Sequence, residues 1–184
     1  MPDLSIQECL RAGHVKRWHI VRVGREQSIA EHMYLVWLLT MELCDRLRAD
    51  DRVHELAEQW ALHHDLPEVI VGDLPTPTKR AMKVGGSNLI DRMEDEASDR
   101  VRLLRAELDK VPDAVLLVKT ADLIESLRFL AIEKMDAHGA QVEKYLNELF
   151  LTLINGSQPT TIDPDDFRRE ALRLARDVIM PERG

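Results

Sequence analysis

The chain has 184 residues and a formal net charge of −8, an acidity that excludes non-specific binding along a nucleic-acid backbone. Its two cysteines, Cys9 and Cys44, form no CxxC pair, which excludes a disulfide framework and a thiolate zinc site. Charged residues reach 32% but Gly and Pro only eight each, which suits a helical chain better than a disordered one.

The first stretch, MPDLSIQECL, is polar and acidic, unlike a signal peptide, and a short helix is expected from Leu4 to Ala12, ending at Gly13. Residues 14–27 lack a clean period and read as an ordered loop, locally basic through Lys16, Arg17, Arg22 and Arg25. Ser28-Ile29-Ala30-Glu31 has capping-box spacing and opens a helix to about Arg48. Its core, MYLVWLLTMELC, is apolar almost all round and predicts a central, buried element.

Asp50 or Asp51 caps the next helix, running to His64, and a short turn carries Leu66 to Val71 and stops at Gly72. VIV at 69–71 is also compatible with a strand fragment. Leu74-Pro75-Thr76-Pro77 must be extended or turned. A second basic patch follows at Lys79, Arg80 and Lys83, before the break at Gly85-Gly86-Ser87. A charged helix is expected from Asn88 to Leu108 and an apolar one from Pro112 to Met135. Gly139 separates that helix from another at 140–154, residues 155–162 form a loop, and Asp163-Pro164 starts a last helix to Ile179. No run of about eighteen uncharged apolar residues occurs, so no membrane span is expected and the expected location is the cytoplasm. The expected fold is all-α, one domain over residues 1–184.

Chemistry concentrates in HHDLPEVIVGDLPTP, residues 63–77. His32, His64, Asp65 and Asp122 offer the imidazole and carboxylate ligands that borderline and hard divalent cations take. Asp122 lies inside LLVKTADLIESL, where a lone carboxylate is costly without a partner. Three have a plainer reading: His32 as a hydrogen-bonded core histidine, His64 with His63 as a polar helix end, and Asp122 as a partner of Lys119 or Arg128. Helix period lets only one of His63 and His64 face a given neighbour.

The order H…HD…D sits within a longer pattern: RW, then S-x-A-E-H, then H-D-x-x-E-x-x-x-G-D-L-P-T-P-x-K, then K-x-x-D, over residues 13–128. This pattern resembles the HD-domain metal phosphohydrolases, in particular the bacterial 5′-deoxynucleotidases and, more closely, the phage dATP triphosphohydrolases. The resemblance implies His32, His64, Asp65 and Asp122 as metal ligands, with His63 left out. It implies Glu68 as the residue that handles the proton of the attacking water or the leaving oxygen, and Asp73 as a second catalytic or sugar-contacting carboxylate. Arg17, Lys79 and Lys119 are the expected phosphate contacts, although Lys119 also suits Asp122 or Glu125 as a partner. Trp18, Ile20 and Pro77 are expected at the base and sugar.

The implied cofactor is Zn²⁺, Co²⁺, Mn²⁺ or Fe²⁺, with Mg²⁺ joining the phosphates. The implied reaction is hydrolysis of dATP to deoxyadenosine and triphosphate, which in that family's setting depletes dATP so that phage DNA carries 2-aminoadenine. The alternatives are a 5′-deoxynucleotidase acting on dNMPs and a non-catalytic nucleotide-binding protein. The last predicts eroded ligands or no counterpart of Glu68, and neither is seen. The expected partners are the deoxynucleotide and further copies of the chain, with no stable nucleic-acid or membrane contact.

Overall fold

Ser28 begins the helix on which much of the site depends. In the computed structural model, which describes residues 4–75, 78–79, 82 and 98–180, its Oγ accepts from the Glu31 N–H at 3.2 Å and opens α2, Ile29–Leu47. Only half of the expected box forms, because the Glu31 carboxylate pairs with Arg25 at 2.7 Å. Before it lie α1 (Ile6–Cys9), closed by a reciprocal Ser5–Glu8 box, and a 3₁₀ turn over Leu10–Gly13. The loop between is ordered, as expected. Arg17 N–H donates to Gln27 O, Ile29 N–H to Val15 O, and Gly24 N–H to Glu133 O.

Asp50 caps α3 (Asp51–Ala61) by accepting from the N–H groups of Arg52 and Val53. A turn then leads to α4 (Glu68–Val71), ended by Gly72 at φ 78, a left-handed conformation that glycine adopts without strain. Val69-Ile70-Val71 is therefore helical. The only β pairing among the described residues is two isolated bridges, Lys16 with Ser28 and Val23 with Lys134.

Ser98 is extended and caps α5 (Asp99–Leu108), so the continuous helix expected from Asn88 is interrupted there. The residues of that stretch before Ser98, the Gly85-Gly86-Ser87 break, and Pro77, Arg80 and Lys83 lie outside the described residues. Three helices complete the chain: α6 (Pro112–Glu133), α7 (Ala137–Gly156) and α8 (Pro164–Ile179). Gly139 does not break the chain but sits in the first turn of α7. There its N–H meets the Asp136 capping carboxylate at 2.8 Å, and an added Cβ would lie 3.0 Å from Lys134 Cβ. Asp163 caps α8, with Pro164 at its first position.

The helix buried on nearly all sides is α6, not α2. It packs against α2, α3, α5, α7 and α8 and buries Leu117, Ala121, Ile124, Leu127 and Leu130. On α2 the buried face runs Ile29, Met33, Val36, Thr40, Leu43, whereas Tyr34 and Leu38 are 54% and 43% exposed. A near-continuous apolar run does not say which side a neighbour will cover. No helix among the described residues is long and apolar enough to cross a membrane.

Asp113, buried in the first turn of α6, ties down the chain before α8. Its oxygens accept from Thr160 N–H at 2.8 Å and from Thr161 N–H and Oγ1, both at 2.7 Å. Burial opposes its ionisation, but the donors of Thr160 and Thr161 outweigh burial and lower its pKa. A lowered folded-state pKa means that the stabilisation is present above the unfolded value, about 3.9, and is lost as pH falls through the folded one. Asp113→Ala is expected to cost about 2 kcal/mol at pH 7. In urea titrations the difference from wild type should shrink below pH 4, roughly the ordinary aspartate range.

Candidate active site

Four elements deliver the site. His32 lies one turn into α2, His64 and Asp65 follow the end of α3, Glu68 starts α4, and Asp122 and Glu125 sit one turn apart on α6. Asp65, Glu68 and Asp122 border a cavity of about 460 Å³ whose walls also include Arg17, Trp18, Asp73 and Lys79.

Ligand atoms of His32, His64 and Asp65 all lie within 4.8 Å of one another. Asp65 Oδ2 is 3.6 Å from His32 Nε2 and 3.5 Å from His64 Nε2. Asp122 Oδ1 adds a fourth candidate donor 3.1 Å from His32 Nε2. Both Nε2 atoms are buried and lack an aligned hydrogen-bond partner. The opposite ring nitrogens are engaged: His64 Nδ1 is 2.9 Å from Ala61 O, and His32 Nδ1 is 2.6 Å from Glu125 Oε2. Both acceptors suit a proton on Nδ1, so Nε2 is the nitrogen that each ring turns to the site. Two buried, unpartnered imidazole nitrogens beside two carboxylates fit a divalent cation. His63 turns elsewhere, its Nδ1 2.7 Å from Gln59 O.

The electrostatics are those of a crowded buried cluster. Burial opposes ionisation of Asp65, yet His64, His32 and Arg17 hold its pKa below the ordinary value. Asp122 is held well below the carboxylate range in the same way, by His32 and Arg17 against burial. Burial and Arg17 both disfavour a charged His32, but Asp122 and Glu125 outweigh them and raise its pKa to about 9. A cation would displace that proton from Nε2.

Glu68 is buried rather than the exposed helix residue that its sequence context allows. Burial, with a contribution from Asp65, pushes its pKa up to about 8, against the opposing charge of Lys79. Its Oε1 accepts from Lys79 Nζ at 3.1 Å, while Oε2 is buried without a partner. Asp73 borders the cavity, 4.0 Å from His19 Nε2. Arg17 is nearly buried between acceptors, 3.4 Å from Glu125 Oε2, 3.4 Å from Ser126 Oγ and 3.9 Å from Asp122 Oδ1. Trp18 and Ile20 line the cavity, whereas Pro77 lies outside the described residues. Lys119 is exposed on α6, one turn before Asp122, and is not among the cavity-lining residues.

Sequence reasoning missed two parts of this site. Glu125, Ser126 and Gln27 are buried polar residues behind the ligands, and Glu125 at three residues from Asp122 was the available signal. The far wall comes from α7, through His138, Gln141, Val142, Tyr145 and Leu149, where the sequence shows only an amphipathic helix.

Residues 10–146 match the HD domain family. A dATP triphosphohydrolase of cyanophage S-2L is 36% identical over 77% of this chain and 78% of that protein. Another dATP triphosphohydrolase, of Salmonella phage PMBT28, is 34% identical over 86% and 82%. The solved structure of the cyanophage S-2L HD phosphohydrolase DatZ, bound to dA and one catalytic Zn²⁺ ion, superposes with a TM-score of 0.84. It is 30% identical and covers 96% of this chain and 99% of that one. The chain belongs to the HD-domain family, within the group that includes the phage dATP triphosphohydrolases.

Proposed function

We propose that this chain is a divalent-metal-dependent deoxynucleotide phosphohydrolase that cleaves dATP at the α-phosphorus to deoxyadenosine and triphosphate. One observation carries the reading: the buried Nε2 atoms of His32 and His64 converge with Asp65 and Asp122 beside a cavity that also holds Arg17, Lys79 and Glu68. The phage relatives and the dA and Zn²⁺ of the solved neighbour support the choice of substrate and ion.

His32, His64, Asp65 and Asp122 would hold the ion, for which Zn²⁺, Co²⁺ or Mn²⁺ suit the donors, with Mg²⁺ on the phosphates. When bound, the ion supplies Lewis-acid polarisation of a phosphoryl oxygen and an acidified attacking water. The remaining work falls to side chains. Arg17 presents a fork that matches phosphate oxygens, and Lys79 adds a compact cation. As the water oxygen bonds to phosphorus, the bond from phosphorus to O5′ breaks and one water proton must reach O5′. Glu68 is placed to move that proton, because its raised pKa lets it both take and return one near neutrality. Asp73 is the second carboxylate, facing the sugar, with Trp18 and Ile20 walling the nucleoside.

The physiological consequence belongs to the same proposal. Loss of dATP would let 2-aminoadenine replace adenine in a phage's DNA, a setting supported by the phage origin of the relatives. A homo-oligomer is also proposed, supported by the exposed Tyr34 and Leu38 on α2, and light scattering giving only a monomer mass would remove it.

A panel of dNTPs and dNMPs with Zn²⁺, Co²⁺, Mn²⁺ and Mg²⁺ is expected to show triphosphate released from dATP. Orthophosphate from dAMP with dATP left intact would instead make the chain a 5′-deoxynucleotidase. Glu68→Gln should lower kcat by about 10²-fold or more while ion binding measured by calorimetry is kept. Asp65→Ala should abolish turnover and weaken ion binding together, and an unimpaired variant would contradict the ligand assignment.

A further inference from the structure

We infer that Trp18, Gln27 and Glu125 form a directional hydrogen-bond relay that holds the His32 proton on Nδ1 and so makes Nε2 the ligand atom. The relay runs from Trp18 in the wall of the substrate cavity to the ion site. It rests on the metal reading above but not on the identity of the nucleotide.

Its four members are joined by three short contacts. Trp18 Nε1–H donates to Gln27 Oε1 at 2.9 Å, Gln27 Nε2–H donates to Glu125 Oε1 at 2.7 Å, and Glu125 Oε2 is 2.6 Å from His32 Nδ1. Gln27, Glu125 and His32 are each 0% exposed. An indole is a donor only and an ionised carboxylate an acceptor only, so both ends of the Gln27 amide are dictated. The carboxylate likewise demands a proton on His32 Nδ1, which leaves Nε2 to face Asp65 and Asp122. Arg17 Nη1 also touches His32 Nδ1 and reaches Glu125 Oε2 at 3.4 Å. Being a donor only, Arg17 opposes a proton on Nδ1, so Glu125 is the acceptor that must hold the proton there.

The polarity makes one substitution informative. Glu125→Gln keeps the shape but offers one acceptor and one donor where two acceptors are needed. If its NH₂ faces His32, the imidazole proton moves to Nε2 and the ligand atom is lost. If its oxygen faces His32, its NH₂ meets Gln27, whose amide must then flip and set NH₂ against the indole N–H. Removing the indole donor with Trp18→Phe frees Gln27 to flip, which restores an acceptor for His32 Nδ1–H. Glu125 and Gln27 are positioning residues in this scheme, acting through His32.

The test reads Zn²⁺ and Co²⁺ affinity by chelator competition, without nucleotide, on wild type, Glu125→Gln, Trp18→Phe and the double variant. Circular dichroism of each variant checks the fold. Glu125→Gln is expected to weaken binding about 10–100-fold. Trp18→Phe should change it little, and the double variant should recover part of the loss. Unchanged affinity in Glu125→Gln would overturn the role of Glu125, and a double variant no better than Glu125→Gln would overturn the extension to Trp18. A wild type that binds the ions but does not cleave dATP would defeat the nucleotide assignment while leaving the relay standing.

Discussion

A carboxylate with no exposure sits in the middle of the most buried helix, and the geometry of the site follows from how it is satisfied. Glu125 has donors from two directions: the Gln27 amide on one oxygen, His32 and Arg17 on the other. Stripping one partner from such a buried pair typically costs about 3–5 kcal/mol, because the remaining charge has no water to turn to. α6, α2 and the loop before α2 are therefore fixed relative to each other by polar contacts as well as by apolar packing. The loop gains a defined path from this, which explains why a segment without periodicity is nevertheless ordered. Trp18 shows the strength of that definition. It holds φ 66, unusual for a bulky residue, while its ring stacks parallel on Phe129 at 5.6 Å.

Around this support the site separates its charges by task. His32 and His64 each spend one nitrogen on the backbone or Glu125 and turn the other to Asp65, and His32 also to Asp122. Asp65 and Asp122 are held ionised by those imidazoles and Arg17, whereas Glu68, buried on a short helix with one oxygen unpaired, binds its proton more tightly. Neighbouring carboxylates with pKa values pushed in opposite directions are the arrangement that proton transfer needs. Lys79, which lines the cavity, pairs with Glu68 at 3.1 Å.

Local chemistry made much of this legible in the sequence. Ser28, Asp50, Pro112 and Asp163 mark helix starts through their own side chains or ring, and the structure places starts at each. The H…HD…D order marked residues that the fold does gather: His32, His64 and Asp65 meet, with Asp122 against His32. What the sequence concealed depends on tertiary partners. Gly139 resembles a breaker until Asp136 caps the turn that holds it, and Ser98 resembles a helix interior until its extended backbone restarts the chain. Which apolar helix is central depends on how many neighbours surround it. Glu125 was hidden for the same reason, since a carboxylate three residues from another reads as a surface pair unless its burial is known.

The central claim is that two histidine Nε2 atoms, aimed by acceptors behind them, hold a cation together with aspartate. Anomalous diffraction at the zinc edge, from crystals grown with Zn²⁺ and deoxyadenosine, tests it most directly. The account predicts a peak within roughly 2.0–2.1 Å of both Nε2 atoms, the usual zinc–imidazole distance, with Asp65 in its coordination shell. A peak ligated through Nδ1 of either histidine, or one centred away from His32 and His64, would contradict it.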